Sequence, residues 1–431
     1  MNLGMQQRPH DFAPRAALAY RAWDKTVLRA GFGVSFAPFE NNSYAYNYPV
    51  TQTNVFTAVN SYSPALLPSG APATFEAGLP TQIAAAIPSN GIIAANTALL
   101  LASSYKVINT HYLDPYVQSW NLTAERALPG QWILDVGYVG NHGVHVPLEY
   151  NLNAGFVAGA GTAGQPLYNL FGRTASTDMF FATSSSSYNS LQATLKHHFA
   201  AGYSVAFAYT YAKALGVSGE CGESNCEPDY YVNFNRNWAR LDIDQRQVFV
   251  ANYTWSLPFG PGHHLFEKGV PSALMRGWQL NGVLRLSTGL PFDFSCSCDT
   301  NTPGNNDSPN LIGAWKVLHG INTQPWFDPT VFAQPAGAST FGNAGVNVYS
   351  GPGLFNLDAG LSRQIRLSER VGLEVRMEMF SATNTPQFGS PDGGFGDSSF
   401  GQVTSTLQAG SAIQEAYGGN RIIDFGMKLS F

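Results

Sequence analysis

Residues 203–213, YSVAFAYTYAK, put Tyr203, Val205, Phe207, Tyr209 and Tyr211 at every second position, with Ser204, Ala206, Ala208, Thr210 and Ala212 between them. A helix would scatter those rings around its circumference, whereas a strand sends alternate side chains to opposite faces. The same period of two recurs in 26–36, where Leu28, Phe32, Val34 and Phe36 oppose Arg29, Gly31, Gly33 and Ser35. It returns in 131–140 (Trp132, Leu134, Val136, Tyr138 against Asp135, Gly137) and in 190–199 (Leu191, Ala193, Leu195, Phe199 against Ser190, Gln192, Thr194, Lys196). Segments 276–288 and 371–379 repeat it, with Trp278, Leu280, Leu284 and Leu286, then Val371, Leu373, Val375, Met377 and Met379, on the apolar side.

These patterns predict strands near 14–23, 26–36, 116–128, 131–143, 187–199, 203–215, 246–256, 276–292, 355–365, 371–381 and 421–431. Their connections alternate between short and long. The short set is 24–25, 129–130, 200–202, a longer link at 257–275, and 366–370; the long set is 37–115, 144–186, 216–245, 293–354 and 382–420. A short helix is expected at 92–101 inside the first long loop. An antiparallel up-and-down meander with short turns at one end and long loops at the other is the layout of transmembrane β-barrels, whose turns face the periplasm.

A soluble sandwich also alternates, but its polar face meets bulk water and carries many Lys and Glu. Here that face is mostly Ser, Thr, Gln, Asn and Gly, as befits a barrel lumen. Composition agrees: only 12% of the 431 residues are charged, about half the usual ~25%, while 13% are aromatic and 44 are glycine. Disordered chains combine low hydrophobicity with high charge, the opposite balance. A net charge of -5 without a basic run excludes a nucleic-acid binder. The longest nearly unbroken apolar run, 92–102, falls short of the ~20 residues a membrane-spanning helix needs. Residues 1–12 lack the basic start, apolar stretch and small-residue cleavage site of a signal peptide, so an outer-membrane destination implies sequence upstream.

The chain closes on RIIDFGMKLSF, with Ile423, Phe425, Met427, Leu429 and Phe431 on one face. A terminal Phe on an alternating strand resembles the signal read by barrel-assembly machinery, which makes Phe425, Met427, Leu429 and Phe431 its candidate residues. The blocks AYR (19–21) and TVLRAGFG (26–33), YVQSWNLTAERALPGQWILDVGYVGNHG (116–143), SSYNSLQATLKHHFAAGYSVAFAYTYAKAL (186–215), DIDQRQVFVANYTWSLPFG (242–260) and RGWQLNGVLRLSTGLPF (276–292) resemble, in order, the barrel of Oar-type TonB-dependent receptors. That resemblance implies a signal peptide, often a regulatory-like domain, a plug that engages TonB, and a barrel of about 22 strands. Residues 1–431 carry about eleven strands, the C-terminal half of such a barrel, and none of the first three parts. They are expected to form one partial barrel domain, coupling to the TonB complex only through an upstream plug and taking up an unidentified scarce solute. The alternatives are a small closed barrel acting as adhesin or surface-assembly anchor, which needs a twelfth strand hidden in 37–115, and a barrel lipid hydrolase.

Nothing singles out a catalytic residue: G-x-S-x-G, H-E-x-x-H and P-loop patterns are absent, and no enzyme activity or cofactor is expected. Cys221, Cys226, Cys296 and Cys298 all fall in long loops, and an even number in an oxidising compartment favours disulfides. Pairing within 221–226 and bridging between the two loops both remain open. A zinc site is the weaker reading because no His stands at ligand spacing. His197 and His198 are neighbours in a strand and point to opposite faces, so they do not chelate together; His263 and His264 fall in a turn, solvated. Glu220, Glu223, Glu227 and Asp229 could hold Ca²⁺, though a solvated acidic loop is the simpler reading. Loop aromatics are the candidate ligand contacts: Tyr44, Tyr46, Tyr48, Tyr230, Tyr231, Trp326 and Phe327. Trp132, Trp255 and Trp278 are the candidate anchors at the interface with outer-membrane lipid.

Overall fold

The structure, a computed structural model, describes residues 11–37, 104–200, 202–217, 227–261, 265–266, 268–337, 339–407 and 420–431, with short stretches of 58–90 and residue 101. Eleven strands join edge to edge in chain order into one antiparallel wall. They are β1 (Arg15–Trp23), β2 (Thr26–Phe36), β3 (Tyr116–Leu128), β4 (Trp132–Asn151), β5 (Thr177–Ala200), β6 (Tyr203–Val217), β7 (Gln247–Ser256), β8 (Trp278–Ser287), β9 (Leu354–Arg366), β10 (Gly372–Phe380) and β11 (Ile422–Ser430). Helix is confined to short pieces, α1 (Pro166–Phe171) and α2 (Gly269–Met275) chief among them. No described helix is long and apolar enough to cross a membrane, which leaves crossing by strands untouched.

Register carries the alternation intact across the wall. Leu18 pairs with Ala30, Ala30 with Leu122, Leu122 with Tyr138, Tyr138 with Leu191, and Leu191 with Tyr211. Further along, Trp255 meets Leu280, then Leu361, Met377 and Phe425. A one-residue slip at any seam would turn a strand's apolar set to the wrong face, so each pairing enforces the next. The opposite face runs through Arg29, Thr123, Gly137, Gln192 and Thr210. Leu18, Leu122, Leu191, Phe425 and Met427 are all exposed. A water-soluble sheet would bury such a face; this one is continuous and uncovered. Where a large ring lies across its partner, the partner is glycine: a Cβ on Gly140 would stand 2.5 Å from the Trp120 indole nitrogen.

Short turns stay short because the chain reverses with left-handed residues: Lys25 (φ 61), Gly130 (φ 73) and Gly202 (φ 85). Strand bounds fall within a few residues of the sequence reading, with two differences. β4 and β5 run on as a paired hairpin to Asn151 and from Thr177, through a stretch expected to be loop. His145 (φ 57) there makes a bulge and Pro147 follows it, so the alternation changes phase and the period ends although pairing does not. The strand expected over 276–292 instead stops at Ser287, and Pro291–Phe292 pairs with Tyr349–Ser350 in a separate two-residue ladder. The helix expected at 92–101 lies outside the described residues apart from Leu101, which is helical.

The wall is not closed. Among the described residues β1 pairs only with β2, and β11 only with β10. Both run from the long-loop end to the short-turn end, so the two free edges are parallel to each other. Two further strands join the sheet off this eleven-strand path: Tyr105–Ile108 lies parallel against the start of β5 and Trp238–Arg240 pairs with the end of β6, so the strand found within 37–115 does not join β1 to β11.

Candidate functional site: the packed outer loops

Above the wall the long loops are knitted into one body, largely by asparagine. Asn305 accepts from the amides of Tyr231 (2.7 Å) and Val232 (3.2 Å) and donates to the Gly155 carbonyl (2.9 Å), tying three loops together. Fully buried Asn153 donates to Arg173 O and Ala175 O and accepts from the Leu167 amide in α1. Asn237, also fully buried, clasps its own loop through Tyr230 and Phe234. Buried amides of this kind are tolerated only when satisfied, and satisfied they fix one arrangement. Arg236 adds a further tie: its guanidinium lies 4.1 Å over the Tyr230 ring and donates to Ser308 Oγ and Ala344 O. In the sequence these residues read only as polar loop composition; their long-range pairing has no local signal.

The loops have an aromatic core of their own. Phe292, Phe294, Phe327 and Phe332 are buried together, with Trp315, Tyr349, Phe395 and Phe400 packed around them. Ring centroids lie 4.7 Å apart for Phe294 and Phe332, 5.0 Å for Trp315 and Phe327, and 3.8 Å for stacked Trp315 and Tyr349. Phe327, a candidate ligand contact from sequence, is 0% exposed and belongs to this core. Tyr230 and Tyr231 are likewise buried, Tyr231 with its hydroxyl accepting from the Asn151 amide. Packing holds those three rings. Trp326 is half-buried, packed against this same core and edge-on to His319, and its buried indole N–H has no hydrogen-bond partner among the described residues. Tyr44, Tyr46 and Tyr48 lie outside the described residues, as do Cys221, Cys226, Glu220, Glu223, His263 and His264.

Cys296 is bonded to Cys298, so these two do not bridge to the neighbouring loop. No group of three metal-ligating side chains occurs among the described residues. Asp229 instead accepts from Asn306. At the root of the loops Asp244, fully buried, accepts from Arg240 Nε at 2.6 Å and from the Ala214 amide at 2.7 Å. Asn347 bridges this region to Asp293, donating its amide to the Asp293 carboxylate and its side chain to Asp242 and Arg240 O.

Asp293 keeps a water-exposed edge yet is hemmed in by these loops. Desolvation, helped by the nearby Asp242 carboxylate and opposed by the Asn347 amide, pushes its pKa up to about 6. Its folded value thus lies above its ordinary 3.8. Stability from this group is therefore greatest while the unfolded chain also keeps the proton, and is lost as pH rises from about 4 through about 6. Hydrogen exchange of 288–353, corrected for intrinsic rates, is expected to show protection falling over that window and levelling above it. Asp293→Asn keeps an acceptor for the Asn347 amide and should flatten the dependence; an unchanged pH profile would remove Asp293 as its source.

The lumen-facing side of the wall carries the charges that the sequence does have. Arg29 Nη1 meets Glu125 Oε2 at 2.8 Å, and Lys196 Nζ meets Asp135 Oδ2 at 3.7 Å. A polar recess of about 300 Å³ is lined by Thr254, Gln279, Asn281, Glu374, Arg376 and Glu378. On the apolar side the short-turn end is ringed by aromatics: Trp132 packs edge-on to His197 (4.9 Å), His197 stacks on Tyr203 (4.4 Å), Trp255 pairs with Tyr203, and Trp278 pairs with Arg363. All three tryptophans named as anchors stand in this ring.

An antiparallel wall with one uncovered apolar face, one polar face, short turns at one end and large loops at the other is the architecture of a transmembrane β-barrel. The chain belongs to the outer membrane beta barrel domain family, whose model matches residues 1–423. Its place is therefore the cell outer membrane, and the family is one of membrane barrels, not enzymes. No curated protein matches the chain. Among solved structures it is similar to the ferripyoverdine receptor of the outer membrane of Pseudomonas aeruginosa (9% identity, 97% of this chain and 32% of that one, TM-score 0.41). It is also similar to the outer membrane transporter YddB from Escherichia coli (9%, 94% and 38%, TM-score 0.45). A third is the ferric enterobactin receptor PfeA of Pseudomonas aeruginosa (10%, 97% and 40%, TM-score 0.46). The chain spans between 32% and 40% of the length of these structures.

Proposed function

We propose that this chain is the C-terminal wall and outer loop body of a TonB-dependent outer-membrane receptor, one that takes up a scarce solute. The observation that carries this reading is the pair of edges left without a partner among the described residues. β1 and β11 run in the same direction, so antiparallel closure needs an odd number of further strands. Unpaired backbone groups in hydrocarbon cost several kcal/mol each, which makes an open wall untenable in a membrane. A single further strand would satisfy that parity too, so the width rests on the ordered sequence blocks that resemble a receptor barrel; barrels of about 22 strands are plugged transporters in the outer membrane. In this reading the apolar face lies in lipid, the polar face lines the lumen, and a plug from outside residues 1–431 supplies the TonB contact. Trp132, Trp255 and Trp278 anchor the interface, and the exposed terminal set Phe425, Met427, Leu429 and Phe431 serves recognition by barrel-assembly machinery. Trp326 and the Tyr44, Tyr46, Tyr48 segment are the solute contacts, the finer Oar-like relationship resting on the sequence blocks alone.

The test compares a strain lacking the gene with a strain lacking TonB, across a panel of iron chelates and oligosaccharides supplied at limiting concentration. Uptake of one solute lost in both strains supports the receptor. If no uptake depends on the gene and surface adhesion is lost instead, the transport reading fails in favour of an adhesin barrel.

A further inference from the structure

We infer that the connection 257–277 is a membrane-interface element whose helix α2 lies in the periplasmic leaflet and binds phospholipid. It is the one long link at the short-turn end, which faces the periplasm in outer-membrane barrels. Val270 and Leu274, one turn apart and so on one face of α2, are 72% and 61% exposed, while Ser272 between them is buried on the opposite side. Leu265 and Phe266, earlier in the same link, are exposed as well, Phe266 with its ring against Phe259. Nothing in the described protein covers that face of α2.

The helix is pinned to a definite side of the wall. Arg363 belongs to the apolar face, two residues on from Leu361, and pairs with Trp278. Its guanidinium donates to Leu274 O (2.6 Å) and Ala273 O (2.5 Å), and the Trp278 indole donates to Leu274 O (3.0 Å). Both donors therefore reach the last turn of α2 from the lipid-facing side, not from the lumen. They also satisfy helix-end carbonyls that would otherwise be costly to place near hydrocarbon. The apolar surface of α2 is thus continuous with the lipid-facing wall and level with the aromatic ring of Trp132, Tyr203, Trp255 and Trp278.

Charge supports the same occupant. Within 257–277 the chain carries Lys268 and Arg276 beside α2 against one acid, Glu267, and Arg363 of β9 reaches the helix end. Cations flanking an apolar helix face at a membrane boundary suit phosphate headgroups, with the apolar residues reaching the acyl boundary. The element would widen the barrel's grip on the inner leaflet at one point of its rim.

The inference rests on the wall's apolar face being in lipid, and the experiment separates the two. Benzoylphenylalanine is substituted singly at Val270, at Leu191 on the apolar wall face and at Gln279 on the lumen face. Each variant is made in the full-length gene product, and only material with folded, heat-modifiable mobility is irradiated in native outer membrane. Mass spectrometry is expected to find phospholipid adducts at Leu191 and Val270 about tenfold above those at Gln279. Lipid at Leu191 with none at Val270, or with a protein adduct there, overturns the interfacial helix and leaves the barrel standing. No lipid at Leu191 overturns both. Leu274 is the substitute site if the variant at 270 does not fold.

Discussion

Leu191→Arg is expected to prevent stable insertion of the barrel while Gln192→Arg, one residue on, is tolerated. Leu191 is 50% exposed and lies in the cross-strand row Leu18–Ala30–Leu122–Tyr138–Leu191–Tyr211. That row crosses β3 at Leu122, the middle of its 13 residues. A guanidinium at mid-height on the lipid face of a barrel costs about 2–4 kcal/mol, falling toward zero near the interfaces. With 1.4 kcal/mol per factor of ten, the folding equilibrium moves by about 30- to 1000-fold. Gln192 pairs with Gly137 and Thr210 on the polar side. There an arginine finds room over the glycine and water in the lumen, and the effect should stay within about 0.5 kcal/mol. Urea unfolding in phospholipid vesicles, read by gel mobility without boiling, measures both. Equal tolerance of the two variants would mean that the faces are assigned the wrong way round.

Phe327→Ala is expected to loosen the outer loops by about 3–5 kcal/mol, the range for truncating a buried ring. The ring is fully buried and touches those of Phe292, Phe294, Trp315, Phe332 and Phe400. Because the loop core is separate from the wall, the damage should be local. Hydrogen exchange should rise through 310–333 and 342–350, with β8 and β9 still protected. Loss of protection in the wall as well would show that loops and wall unfold as one unit. Trp326→Ala is the informative neighbour. It removes a half-buried ring at the rim of the core whose N–H has no partner among the described residues, so its effect on stability should be smaller. If Trp326 touches solute, the same change lowers uptake with the loops intact.

The wall was legible because membrane strands repeat one simple constraint. Lipid on one side and lumen on the other force a period of two, and hydrophobicity written at that period can be read without knowing any partner. Even the strand ends came out where a turn residue such as Gly130 or Gly202 marks them. Legibility failed at His145 and Pro147, where a bulge changes the phase of the alternation while the hairpin continues.

The loops were opaque for the converse reason. Phe327 and Trp326 are adjacent aromatics of equal appearance in the sequence, yet one is the centre of a core and the other packs partly buried against its rim. Which is which depends on Phe292, Phe294 and Phe400, up to 73 residues away. Asn305 likewise looks like any loop polar residue until it is found holding Gly155 and Tyr231. The link 257–277 read as a long turn, and only the contacts of Arg363 and Trp278 put its helix on the lipid side.

Sequence alone determined the eleven strands of the wall, their order, the face each residue takes where the alternation holds, and the end at which loops gather. All of these follow from nearest-neighbour geometry repeated along one chain. Tertiary structure decided what the loops bury, that Cys296 bonds to Cys298, and that among the described residues β1 and β11 are left as parallel free edges. Those outcomes depend on groups meeting across long separations, where no local period carries the information.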